Sequence, residues 1–166
     1  MTFKQYVQLF FCLTIPLIIG GVSGFATSGG LQDWYPSLVK PSFNPPNFLF
    51  GPVWTTLYLL MGVSLYMILQ LPPSTARRNA LIIFGVQIFL NFWWSIIFFS
   101  WHEMGWALVE IIAIWFSILA MIITFKQLKP IAGYLQIPYL MWVSFATLLN
   151  ASLWWLNRIQ LYISCN

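Results

Sequence analysis

Residues 105–125 read GWALVEIIAIWFSILAMIITF, an apolar run interrupted by a single ionisable side chain, Glu110. At a rise of about 1.5 Å per residue, such a run crosses the ~30 Å hydrocarbon core of a bilayer as one α-helix. Four more stretches have the same length and character: about Gln5–Phe25, Phe50–Gln70, Asn79–Ser100 and Gly133–Leu156. The fold class that follows is an all-α membrane protein, a five-transmembrane-helix bundle occupying residues 1–166 as one domain. Composition agrees, since 60% of the chain is hydrophobic and only 6% charged, against about 25% charged in soluble domains. A water-soluble surface cannot be built from that, and the mean hydropathy is +0.82. The first run follows Lys4 and ends at Gly24-Phe25-Ala26, a pattern shared with cleaved signal peptides. It is long for a signal peptide's apolar region, and we read it as a retained helix.

Seven Lys and Arg against three Asp and Glu leave a net charge of +4. The cations are scattered at the ends of spans and form no stripe of the kind that binds phosphates, so nucleic acid is not an expected partner. They read instead as topology signals. Lys4, Arg77, Arg78, Lys126 and Lys129 share one side, with Lys40, Arg158, Asp33 and Glu103 on the other. The positive-inside rule then predicts a cytoplasmic N-terminus and a C-terminus on the opposite side of a multi-pass protein in lipid. Cys12 and Cys165 frame no disulfide scaffold, and His102 is the one histidine. No metal site and no resident cofactor are expected from that inventory.

One connection is unusually long. Residues 27–47 join the first two spans with the string Asp33-Trp34-Tyr35-Pro36-Ser37-Leu38-Val39-Lys40-Pro41-Ser42-Phe43-Asn44-Pro45-Pro46. Loops of this length in compact bundles are functional or disordered. Its aromatic side chains need burial and its prolines fix φ, so the reading is an ordered lid over the outer end of the bundle.

Within the spans, polar and aromatic residues recur at helical spacing. Gln87, Asn91, Trp94 and Phe98 share a face of the third span, and Trp54, Tyr58, Met61 and Leu65 a face of the second. Pro138, Trp142, Ala146, Leu149 and Leu153 align on the fifth, and Trp106, Glu110, Ala113 and Ser117 on the fourth. Trp101, Trp106, Trp154 and Trp155 lie near span ends, as an interfacial belt would place them. Trp142 and Trp94 are deeper, about 14 Å and 9 Å from the nearest predicted span end at 1.5 Å per residue. Because neighbouring spans alternate in direction, Trp54, Asn91, Trp94 and Glu110 are expected in one half of the membrane, beneath the long loop. Two readings compete for these stripes. They are either interhelical glue, worth about 0.6–2 kcal/mol per bond, or the walls of a cavity for a flat apolar ligand. Gly20 and Gly24 form a small-residue face on the first span, expected to serve internal packing, and Pro16, Pro52 and Pro138 are candidate kinks.

Trp34-Tyr35, Lys40-Pro41-Ser42-Phe43, Pro45-Pro46 and Gly51-Pro52-Val53-Trp54-Thr55-Thr56-Leu57-Tyr58 with Met61-Gly62 resemble the translocator protein family, the tryptophan-rich sensory proteins (TspO, peripheral-type benzodiazepine receptors). Leu90-Asn91-Phe92-Trp93-Trp94 with Phe98-Phe99 looks like the family's third helix. Met104-Gly105-Trp106-Ala107-Leu108-Val109-Glu110 is similar to the start of its fourth helix. Pro138-Tyr139-Leu140-Met141-Trp142 with Phe145-Ala146-Thr147-Leu148-Leu149-Asn150 is similar to the fifth. The resemblance implies a five-helix bundle, often a homodimer, that binds porphyrins such as protoporphyrin IX in a pocket closed by the first loop. Position by position it implies ligand-binding roles for Tyr35, Trp54, Tyr58, Gln87, Asn91, Trp94, Glu110, Trp142, Phe145 and Ala146.

The function that this resemblance implies is an integral membrane tetrapyrrole sensor or regulator, with porphyrin as ligand rather than cofactor. Two alternatives stand beside it. One is a light- and oxygen-dependent porphyrin-degrading enzyme, with Trp54 and Trp142 as the redox-active indoles. The other is a porphyrin or sterol transporter, ranked lower because the polar stripes gather in one half of the membrane. Animal members of the family bind cholesterol through a Leu/Val, Tyr, Lys/Arg pattern late in the fifth helix. Here Leu149 to Arg158 lacks the tyrosine, while Leu31, Tyr35 and Lys40 match the pattern in the loop, so sterol is a doubtful partner.

Overall fold

The computed structural model describes residues 2–164, with side-chain surroundings given through Arg158; Cys165 lies outside the described residues. The helices are α1 (Phe3–Ala26), α2 (Phe50–Leu69), α3 (Thr75–Ser95), α4 (Met104–Leu128), the short α5 (Pro130–Tyr134) and α6 (Ile137–Ser164). Among the described residues five segments are long and apolar enough to cross a membrane: Phe3–Ala26, Asn47–Leu69, Thr75–Ser100, Met104–Leu128 and Pro130–Arg158.

The helix ends follow from local chemistry. Ser74 caps α3 by accepting the Arg77 backbone N–H at 3.1 Å, which satisfies one of the free donors of the first turn. Pro52 and Pro138 fall in the first turns of α2 and α6. There the missing N–H has no carbonyl to serve, so Pro52 starts α2 without a kink, whereas Pro138 starts α6 directly after an interruption of the predicted fifth helix; Pro16 lies inside α1. The fifth span is broken, since α5 and α6 are separated at Leu135 and Gln136. Gln136 fastens this break to α2, donating to Ser64 Oγ at 2.6 Å and to the Leu60 carbonyl at 3.3 Å. The hydroxyl of Ser64 in turn donates to the carbonyl of Ala132 at 3.0 Å.

Around the bundle the helices run α2, α1, α3, α4, α6, with α5 reaching back to α2. The α1 and α2 backbones approach closely at Gly62, where a Cβ would lie 2.6 Å from the Cys12 carbonyl oxygen and 2.8 Å from Leu13 Cα. Gly20 on α1 receives the Tyr58 ring, whereas Gly24 faces open space. Only half of the small-residue face on α1 therefore serves packing. The seam between α2 and α6, which closes the ring, is looser than its neighbours.

After Ser95 the α3 backbone widens into one π turn, Ile96–Ser100. Such turns insert a residue into the helical register and re-aim the side chains around them. Here the effect is that Phe98 and Phe99 both meet the loop.

Candidate ligand-binding site

The centre of the bundle is tied by a buried polar network. The Tyr58 hydroxyl on α2 donates to Asn91 Oδ1 on α3 at 2.7 Å. Asn91 Nδ2 donates to the Tyr139 hydroxyl on α6 at 2.9 Å, and Gln87 Nε2 donates to that same hydroxyl. Trp54 covers the flank of this network, stacked on Tyr58 at 5.6 Å and edge-on to Tyr139 at 6.0 Å. One turn further along α3, Trp94 Nε1 donates to Asn150 Oδ1 at 3.3 Å, and Asn150 Nδ2 donates to the Met104 carbonyl at 2.9 Å. Each of these bonds joins different helices, which is how polar groups in a hydrocarbon surround are satisfied.

The loop is ordered and enters the bundle. Tyr35 is 1% exposed and packs against Phe50, Phe98 and Phe99 with ring centroids 6.4, 6.3 and 5.7 Å away. Its hydroxyl donates to Asn44 Oδ1 at 2.6 Å. Trp34 stacks on His102 at 4.3 Å, and His102 itself holds a left-handed φ of 61°. Midway along the loop, Asn157 of α6 grips Val39 twice. The Val39 N–H donates to Asn157 Oδ1 at 2.9 Å, and Asn157 Nδ2 donates to the Val39 carbonyl at 3.0 Å.

Burial pushes the Tyr35 hydroxyl up to about 12, against an ordinary value of about 10. Because the folded loop favours the neutral phenol, the stability this burial contributes is complete below about pH 10 and is lost as pH rises towards 12. The difference in tyrosinate absorbance between the parent protein and Tyr35→Phe is expected to show one tyrosine titrating near 12. A midpoint near 10 would mean that Tyr35 is solvated.

With the loop seated, the space beneath it is nearly filled. Tyr35, Phe50, Trp94, Phe98, Ala146 and Asn150 border a void of about 20 Å³, room for about one water molecule. Ligand-sized space lies beside it, in the α2–α6 seam. A groove of about 520 Å³ opens there between Val53, Thr56 and Leu60 on one side and Met141, Trp142 and Phe145 on the other. That volume is in the range of small-molecule sites, about 300–1,000 Å³. The indole Nε1 of Trp142 is shielded from solvent and has no hydrogen-bond partner among the described residues. The groove and the buried void share a wall, because Phe50 meets Trp142 at 6.0 Å and Tyr35 at 6.4 Å.

Comparison with known proteins places this architecture. The TspO/MBR family model matches residues 12–156. The chain belongs to the TspO/MBR family. It is 36% identical over 155 residues to the tryptophan-rich protein TspO of Chlorobaculum tepidum, covering 93% of this chain and 98% of that one. It is 38% identical over 135 residues to the human translocator protein, covering 80% and 79% of the two chains. The tryptophan-rich sensory protein of Cereibacter sphaeroides is 38% identical over 128 residues, covering 75% and 79%. The chain is thus an integral multi-pass membrane protein of a family whose members carry sensory and translocator names.

Within this TspO/MBR bundle the ten residues singled out in the sequence separate into four places. Tyr58, Gln87 and Asn91 form the central network with Trp54 on its flank, and Tyr35, Trp94 and Ala146 border the small void. Trp142 and Phe145 wall the α2–α6 groove. Glu110 does not join them. The buried face of α4 is Met104, Ala107, Ile111, Ile114, Ile118, Met121 and Phe125, and Trp106 on the other face is 69% exposed. Glu110 sits on that outer side, in a separate groove against α3. The helical spacing of Trp106, Glu110 and Ala113 is as expected, but the stripe is turned away from the bundle centre. Tyr139, Asn150 and Asn157 were not among the ten, although each makes bonds that organise the site. Asn157 lies two turns after Asn150 on the same face of α6, one residue past the predicted end of the fifth span.

Proposed function

We propose that this protein is a membrane tetrapyrrole-binding sensor or regulator, and that protoporphyrin IX docks in the groove between α2 and α6. The observation that carries the reading is Trp142. Its ring forms part of a groove wall of suitable volume, and its buried indole N–H lacks an acceptor. A buried donor left alone costs about 1–3 kcal/mol, and a rotation of the indole that brings Nε1 to a ligand acceptor in the groove removes that cost. The Trp142 and Phe145 rings, 5.5 Å apart, suit the face and edge of a flat macrocycle.

The groove opens sideways between two spans, so the ligand enters from lipid. Phe43 of the loop meets Phe145 edge-on at 6.2 Å, and Phe50 links Trp142 to Tyr35. Occupancy of the groove therefore bears on the seating of the loop, which is the two-state element that a sensor needs. The charge distribution supports a cytoplasmic N-terminus, with loop and groove mouth towards the opposite face.

Dark titration of the purified, detergent-solubilised protein with protoporphyrin IX tests the reading, followed by tryptophan quenching and the Soret band. Saturable binding is expected, weakened about two- to tenfold by Trp142→Phe, the equivalent of about 0.5–1.5 kcal/mol of ring contact. Absence of saturable binding would overturn it. Illumination in oxygen then asks for the enzyme: bleaching with defined products that disappears in Trp142→Phe would replace the sensor by a degrading activity.

A further inference from the structure

The second large groove lies between α3 and α4 and holds about 700 Å³. Its composition differs from that of the α2–α6 groove. Trp93, Trp101 and Trp106 supply indole walls, with the Trp93 and Trp101 rings 6.0 Å apart. Two carboxylates, Glu103 and Glu110, line the same space. Glu110 Oε2 is sealed from solvent, and no donor among the described residues reaches it.

An unpaired carboxylate oxygen on the lipid side of a bundle is costly. Acyl chains bring it no donor. A porphyrin is a poor occupant, because its propionates would face Glu103 and Glu110 as like charges. A cation fits on two independent grounds. It brings opposite charge to the Glu103 and Glu110 carboxylates that line the groove, and indole faces attract it through their quadrupole. An apolar body attached to that cation would cover the remaining aromatic wall and reach the groove through the lipid.

We propose that the α3–α4 groove is a separate binding site for a membrane-soluble organic amine, an ammonium on a flat apolar body, with Glu110 as its counter-charge and Trp93, Trp101 and Trp106 as its walls. This site is independent of the porphyrin reading and stands or falls separately from it.

The probe is 9-aminoacridine, a flat cation at neutral pH, set against acridine, which has nearly the same shape and is neutral. Each is titrated into the full chain in phosphatidylcholine nanodiscs, and binding is read by quenching of probe and tryptophan fluorescence. Saturable 9-aminoacridine binding is expected, weakened about tenfold or more in Glu110→Gln, an energy of about 1.4 kcal/mol. Acridine is expected to bind weakly and to ignore that substitution. Ala113→Phe, which fills the groove and keeps the carboxylate, is expected to weaken 9-aminoacridine by a similar factor. It serves as the second variant should Glu110→Gln fold poorly, and the melting profile of each variant in nanodiscs reads folding. Saturating protoporphyrin IX is expected to leave 9-aminoacridine in place.

Three results would overturn the proposal. One is 9-aminoacridine binding that persists unchanged in folded Glu110→Gln. Another is equal loss of both probes in that variant, which would make the groove merely apolar. The third is no saturable binding at all, as when a second copy of the chain covers the groove.

Discussion

Tyr139→Phe is expected to destabilise the bundle by about 2 kcal/mol while leaving its helix content unchanged. The Tyr139 hydroxyl accepts from both Gln87 and Asn91, and its loss removes two interhelical bonds worth about 0.6–2 kcal/mol each in lipid. The two amide donors stay buried, because neither residue is more than 3% exposed and phenylalanine offers no acceptor. Unfolding in mixed micelles of increasing denaturing detergent would measure the change. A double-mutant cycle with Gln87→Leu isolates the bond itself, and a coupling energy near zero would mean that the hydroxyl acts only as bulk.

Asn157→Leu is expected to release the loop. Both bonds between α6 and Val39 disappear together, and a net bond is worth about 0.5–1.5 kcal/mol. A shift of about 1.4–2 kcal/mol raises the open population roughly ten- to thirtyfold. Limited proteolysis within residues 27–47 reads that population directly, and protoporphyrin affinity is expected to fall with it. Asn157→Asp is expected to be intermediate: a carboxylate still accepts from the Val39 N–H but donates nothing to the Val39 carbonyl. Cleavage rates that match the parent protein would show that Tyr35 and Trp34 hold the loop without Asn157.

How much of this was legible in the sequence depends on what the surrounding solvent reveals. The five spans were readable because about twenty consecutive apolar residues have no other common use. The stripe Gln87, Asn91, Trp94 and Phe98 was also readable, and all four residues are buried. On α4 the same method misdirects. In lipid both faces of a helix are apolar, so periodicity finds a stripe without telling inside from outside. A polar residue in a span is expected to point inward, yet the inward face of α4 is wholly apolar and Glu110 is on the other. Asn157 was hidden for a different reason. It follows the predicted end of the fifth span, and its partner Val39 is 118 positions away in the loop. The break at Leu135 and Gln136 falls just before Pro138, a candidate kink in the sequence, with Gly133 on its other side. It is held by Gln136 reaching Ser64 and Leu60 on α2, a tertiary bond that no local pattern encodes.

The α2–α6 groove is the central claim, and filling it is the most direct test. Thr56 lines the groove, and among the described residues its hydroxyl bonds only the Pro52 carbonyl of its own helix. Thr56→Trp therefore occupies the space without disturbing the central network or the loop. Dark protoporphyrin IX titration of this variant, alongside its melting profile, is the decisive measurement. The account predicts saturable binding weakened by about tenfold or more, with the melting profile of the parent protein retained. Parent-like affinity in the folded variant would contradict it and move the ligand elsewhere on the bundle.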